Sequence, residues 1–108
     1  MLLVSLAGCT YCERIRRSHL LPMARSGPGG VFQIDVGSLA PVVDFDDRVR
    51  SQDAVTHRLR ARFTPTVLFL GPAGDELSER LVGAGIPDFY GALLEQRLDA
   101  ARSALRRR

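Results

Sequence analysis

At 108 residues the chain has room for one compact domain and not for two, and a content of 45% hydrophobic and 25% charged residues excludes a disordered segment. The formal net charge is +3, and all fifteen basic residues are arginine, yet no aromatic residues interleave with them, which argues against nucleic acid as a partner. No run reaches the roughly 18 apolar residues that crossing a bilayer takes, so no membrane span is expected.

Leu2-Leu3-Val4-Ser5-Leu6 is short, apolar and ends at a small-residue corner, the signature of a buried strand. Glu13 to Met23 reads as a helix with Ile15, Leu20 and Met23 inward and Arg14, Arg16 and Arg17 in water. Pro22 should kink or end it, and Gly27-Pro28-Gly29-Gly30 should close the unit. Val31 to Val36 alternates in part, which predicts a second strand parallel to the first and hence a βαβ unit. Pro41 to Arg50 suits a small hairpin or an ordered loop, and Ser51 is placed to cap a helix running to about Arg62.

Val67-Leu68-Phe69-Leu70 is the strongest strand signal, and Gly71-Pro72-Ala73-Gly74 a turn. Glu76 to Val82 then returns antiparallel, with a facing that its pattern leaves ambiguous. Pro87 to about Leu105 is a long amphipathic helix in which Phe89–Leu93 and Tyr90–Leu94 pair at i, i+4 and the aromatics point to the core. The last seven residues hold four arginines, which suit the carboxyl end of a helix dipole.

The two cysteines, Cys9 and Cys12, stand at the strand-to-helix junction of the βαβ unit. Taken alone they could be a structural staple, half of a metal site, a lipid attachment point or a redox pair. Leu6-Ala7-Gly8-Cys9 matches a lipidation pattern, but no basic residue precedes it and the apolar stretch is too short for a signal. A metal site would draw on Cys9, Cys12, His19 and His57, whose histidines lack finger spacing; a cluster shared by two subunits is a smaller variant of that reading. The redox reading has a physical basis: free N–H groups and the positive dipole end at a helix start favour a thiolate, so Cys9 should ionise below the ordinary thiol value of about 8.5. Cys12, one turn on, lies within reach to close the ring. Thr10 and Tyr11 occupy the turn between them.

On these residues, together with Thr64-Pro65 just before the third core strand, the chain resembles the thioredoxin-like superfamily over essentially its whole length. The resemblance implies an α/β fold of minimal thioredoxin-like type, a single domain over residues 1–108 with a central mixed four-stranded sheet flanked by helices. It implies a thiol:disulfide oxidoreductase acting on protein disulfides, most simply as a reductase and monomer without a cofactor, with protein thiol or disulfide substrates and a redox partner protein. Cys9 and Cys12 would be catalytic; Thr64, Pro65, Tyr11 and Thr10 would meet substrate, with a cis-proline at Pro65 and Gly83 and Gly85 in the small-residue loop nearby. Thr64 and Tyr11 look more like bacterial interchange and isomerase-type domains than thioredoxin itself, which implies a periplasmic setting, or a cytoplasmic one if Met1 is the natural start.

The departures are specific. Gly8 stands where thioredoxins carry tryptophan, no proline separates the cysteines, and Leu3 replaces the buried acid that would accept the proton of Cys12. Glu13 is the nearest substitute base, although a first-turn glutamate commonly serves as a helix-end charge. The family's leading strand and helix are not expected here. A redox-inert module of this fold that docks extended peptides at Thr64-Pro65 is the alternative, and Cys/His metal binding a further one.

Overall fold

Leu2–Ser5 (β1) is buried along its whole length, which is why it reads as an unbroken apolar run: both faces of the strand are covered. In this computed structural model, which describes residues 1–26 and 30–107, β1 pairs in parallel with Phe32–Asp35 (β2) and antiparallel with Thr66–Leu70 (β5), and β5 pairs antiparallel with Glu76–Val82 (β6). The sheet order is β2-β1-β5-β6, a mixed four-stranded sheet. Most of the turn expected at Gly27-Pro28-Gly29-Gly30, and Arg108, lie outside the described residues.

Each face of the sheet carries its own core. Leu3, Val67, Phe69 and Leu81 pack against Ile15 and Leu20 from the first helical segment and Tyr90, Leu94 and Ala101 from the last. Leu2, Val4, Ile34 and Leu68 pack on the other side with Val55 and Ala61. Helices on both faces give a mixed α/β architecture.

Helix follows β1 at Thr10–Ile15 (α1), widens into a π-helical turn at Arg16–Leu20, and resumes at Leu21–Ser26 (α2). Two expectations are corrected here. The helix starts at Thr10 rather than Glu13, so Cys12 lies inside it, and of the two outcomes expected at Pro22, a kink or an end, the end does not occur. The Leu21 N–H reaches back five residues to the Arg16 carbonyl, and Pro22 then falls in the first turn of a renewed α-helix, where its missing N–H costs least. The π turn also serves the core: Ile15 and Leu20, five apart and both buried, would stand about 140° apart on a regular α-helix, and the wider turn brings them to one side.

Beyond β2, Pro41–Val43 (β3) and Val49–Ser51 (β4) form a separate two-stranded hairpin. It is tied down by charge: the Asp44 carboxylate, 5% exposed, accepts from Arg50 at 2.9 Å and meets Arg58 at 3.0 Å. Ser51 caps Gln52–Arg58 (α3), its hydroxyl accepting from the Ala54 N–H at 3.1 Å. This helix stops short of Arg62 because Arg60 turns into the left-handed region at φ 53°.

Pro87–Arg106 (α4) presents Tyr90, Leu94 and Ala101 to the core. Phe89 and Leu93 do not join them; they are 61% and 38% exposed. The core therefore takes a narrower stripe of α4 than the i, i+4 pairs predict. In β6 the ambiguous facing resolves with Leu81 buried and Leu77 packed against the same core. Leu77 and Leu81, four apart on the strand, share that side, and the β5–β6 register is irregular between Val67 and Leu70.

Candidate functional site at the end of the first strand

The chain leaves β1 through Leu6-Ala7-Gly8, a turn closed by the Cys9 N–H donating to the Leu6 carbonyl at 3.1 Å. Gly8 sits at φ 79°, a conformation that suits a residue with no Cβ. Cys9 is extended (φ −79°, ψ 105°) and is the N-cap of α1; its Sγ accepts from the Cys12 N–H at 3.2 Å. Cys9 and Cys12 are joined as a disulfide, with Cα atoms 5.3 Å apart. The two sulfurs are not equivalent. Cys12 is 1% exposed and packed inside the helix, whereas Cys9 is half-buried at its mouth.

Thr10 is exposed and Tyr11 is 56% exposed, with the Arg14 guanidinium 5.5 Å from the tyrosine ring centre. Thr64-Pro65 enters from β5. Val4 opposes Thr66, so Thr64-Pro65, just ahead of Thr66, lies at the end of the sheet where β1 leaves toward Cys9. The Thr64–Pro65 peptide bond is cis. Pro65 is buried and its carbonyl accepts from the Gly83 N–H at 2.7 Å, while Thr64 is half-buried. Gly83 and Gly85, at φ 80° and 60°, carry the chain from β6 to α4 at this same end. Leu6, Tyr11, Phe63, Val82, Ile86 and Phe89 are all exposed apolar side chains from the segments that converge there.

On the other side of Cys9 an open cleft of about 410 Å³ runs between α1 and β2, its wall including Ser5, Cys9, Thr10, Glu13, Arg16, Gln33 and Asp35. Arg16 bridges it, donating to the Gln33 side-chain carbonyl at 2.7 Å and pairing with Glu13. Arg17 meets the second Glu13 oxygen at 2.6 Å. Hydrogen bonding from Arg16, with the charges of Arg16 and Arg17, holds the Glu13 carboxyl below its ordinary value. Glu13 is therefore a fixed anion of the helix start rather than a group ready to take up a proton. Gln33 Nε2 in turn donates to Asp35 Oδ1 at 2.9 Å.

The candidate metal ligands do not gather. The cysteines are bonded to each other, the His19 ring lies tilted against Tyr90 with ring centres 5.2 Å apart, and His57 on α3 faces Asp53 at 3.6 Å. Among the described residues no group of three or more His, Cys, Asp or Glu is placed to hold a metal ion, and no helix is long and apolar enough to cross a membrane.

Sequence reasoning missed Ser5, Arg16, Gln33 and Asp35 as neighbours of Cys9. One signal was present: Gln33 and Asp35 are two apart on a strand and so share a face, opposite Leu3 and Ser5 in the parallel register. No family model, curated protein or solved structure matches this chain.

Proposed function

We propose that the chain is a thiol:disulfide oxidoreductase of thioredoxin-like fold that acts on polypeptide disulfides, as a reductase, through Cys9 and Cys12. The observation that carries this reading is the inequality of the two sulfurs: Cys9 caps the helix, half-open to solvent and hydrogen-bonded to a backbone amide, while Cys12 is buried one turn inside and within bonding reach. An amide donor and a helix start stabilise a thiolate, and only an accessible sulfur can meet a second molecule.

In the reduced protein, the Cys9 thiolate attacks one sulfur of a substrate disulfide. That S–S bond breaks, the other substrate sulfur leaves as thiolate and takes a proton, and a mixed disulfide remains on Cys9. Cys12, having lost its proton, attacks Cys9 Sγ, releases the second substrate thiol and closes the ring. Two electrons pass from protein dithiol to substrate. With Leu3 buried and apolar and Glu13 held by two arginines, the proton of Cys12 leaves to water.

The Thr64-Pro65 segment and the apolar side chains Leu6, Phe63 and Ile86 supply the docking edge in this reading: an extended substrate pairs its backbone beside Thr64 and lays side chains on the collar. The protein works as a monomer. The test is trapping. Cys12→Ser should accumulate mixed disulfides with a disulfide-bonded peptide and Cys9→Ser should not. Equal trapping by both variants would overturn the assigned roles, and no trapping by either would leave an inert, structural disulfide.

A further inference from the structure

We infer that the cleft between α1 and β2 is a second ligand subsite, which admits a small thiol bearing an ammonium group to reduce the Cys9–Cys12 disulfide. This rests on the exchange chemistry proposed above and adds the class of electron donor. Four observations converge. The cleft has Cys9 in its wall, so a molecule bound there stands beside the residue that carries the accessible sulfur. Its volume, about 410 Å³, is that of a small-molecule site rather than a bed for a polypeptide. It opens at the carboxyl ends of two adjacent parallel strands, β1 and β2, where the chain leaves β1 for the helix. Its wall also carries Glu13, Arg16, Gln33 and Asp35 alongside Leu6 and Ala7, whereas the exposed side chains on the Pro65 side, Phe63, Ile86 and Phe89 among them, are apolar.

The charges inside the cleft set the specificity. Arg16 is engaged by Glu13 and Gln33, and Glu13 is engaged by Arg16 and Arg17. Asp35 receives only the neutral Gln33 amide on one oxygen, and among the described residues no cation pairs with it. An ammonium group completes Asp35, whereas a carboxylate on the ligand is repelled by it.

The step balances as follows. The thiolate of the small thiol attacks Cys9 Sγ, the Cys9–Cys12 bond breaks, and Cys12 leaves as thiolate and takes the proton that the incoming thiol released. A second small thiol attacks the ligand sulfur of this mixed disulfide, releasing the small disulfide and the Cys9 thiolate. The sum is protein disulfide plus two thiols giving protein dithiol plus one small disulfide.

The experiment reduces the oxidised protein with cysteamine, 2-mercaptoethanol or 3-mercaptopropionate at equal thiolate concentrations, quenches by alkylation and counts protein thiols by mass. The expected order of rate constants is cationic, then neutral, then anionic, with about 2- to 5-fold per step, the range of a single exposed charge pair. Asp35→Asn, which keeps the acceptor for Gln33, should bring the three rates together, and Asp47→Asn on the remote hairpin should not. Equal or reversed rates in the unmodified protein, with reduction otherwise normal, would overturn the subsite and leave the exchange chemistry standing. Failure of all three thiols, and of dithiothreitol, to open the disulfide would overturn both.

Discussion

The burial of Cys12 makes a quantitative demand on single-cysteine variants. In Cys9→Ser the remaining thiol lies inside the helix, 1% exposed, and an alkylating reagent reaches it only after the first turn opens. Opening gives up the Glu13 N–H bond to the residue 9 carbonyl and the Arg16 N–H bond to the Cys12 carbonyl, each worth about 1 kcal/mol net. It also uncovers part of Ile15, 2% exposed, for which full exposure costs about 1.5–3 kcal/mol. A total near 3 kcal/mol corresponds to a reactive fraction of about 1 in 150. Alkylation of Cys12 in Cys9→Ser should therefore be about 100-fold slower than alkylation of Cys9 in Cys12→Ser under native conditions, and the two should converge in denaturant. Iodoacetamide incorporation followed by intact mass measures both. Rates within threefold of each other, or a faster Cys12, would refute the argument that Cys9 alone faces incoming molecules.

The remaining predictions concern the frame that holds the site. Leu94→Ala should cost about 2–5 kcal/mol in urea unfolding, while Phe89→Ala, on the adjacent exposed stripe of α4, should change stability by less than about 1 kcal/mol. Tyr90 is buried with an unpartnered hydroxyl, and burial pushes its phenol up to about 12. Its contribution is intact below the ordinary value of 10.0 and is lost as pH rises toward 12. Tyr90→Phe should thus hold or raise stability at neutral pH and flatten that alkaline decline, as thermal melts between pH 9 and about 11.5 would show. Glu13, Asp46 and Asp53 are all held below their ordinary values of 4.5, 3.8 and 3.8 by hydrogen bonds, with arginine partners contributing to each. The stability they add is present above those values and falls away as pH drops below about 4; melting temperature should decline on that limb, and salt should weaken the effect.

Several features were legible because they depend on neighbours in the chain. A small-residue corner after an apolar strand, two cysteines one helical turn apart, a serine ahead of α3 and a Gly-Pro turn before β6 each follow from local sterics and hydrogen bonding. The expected mixed four-stranded sheet with helices follows from their order. The π turn was not legible. Local propensity leaves Pro22 as either a kink or an end, and it does not show that the turn before it widens so that Ile15 and Leu20 are both buried. Phe89 and Leu93 match the helical stripe as well as Tyr90 and Leu94 do; which pair is buried depends on how α4 is rotated on β6.

By itself the sequence determined that Cys9 begins a helix and that Cys12 can close a ring with it, since both depend on residues within one turn. Only the tertiary structure decided what stands on either side of that ring. Ser5, Arg16, Gln33 and Asp35 come from β1, the helical run and β2, and they line one cleft because β2 pairs in parallel with β1 in a single register. A one-residue slip would turn Gln33 and Asp35 to the opposite face. The parallel pairing was expected, but its register is held by apolar contacts far apart in the chain, and no local pattern encodes it.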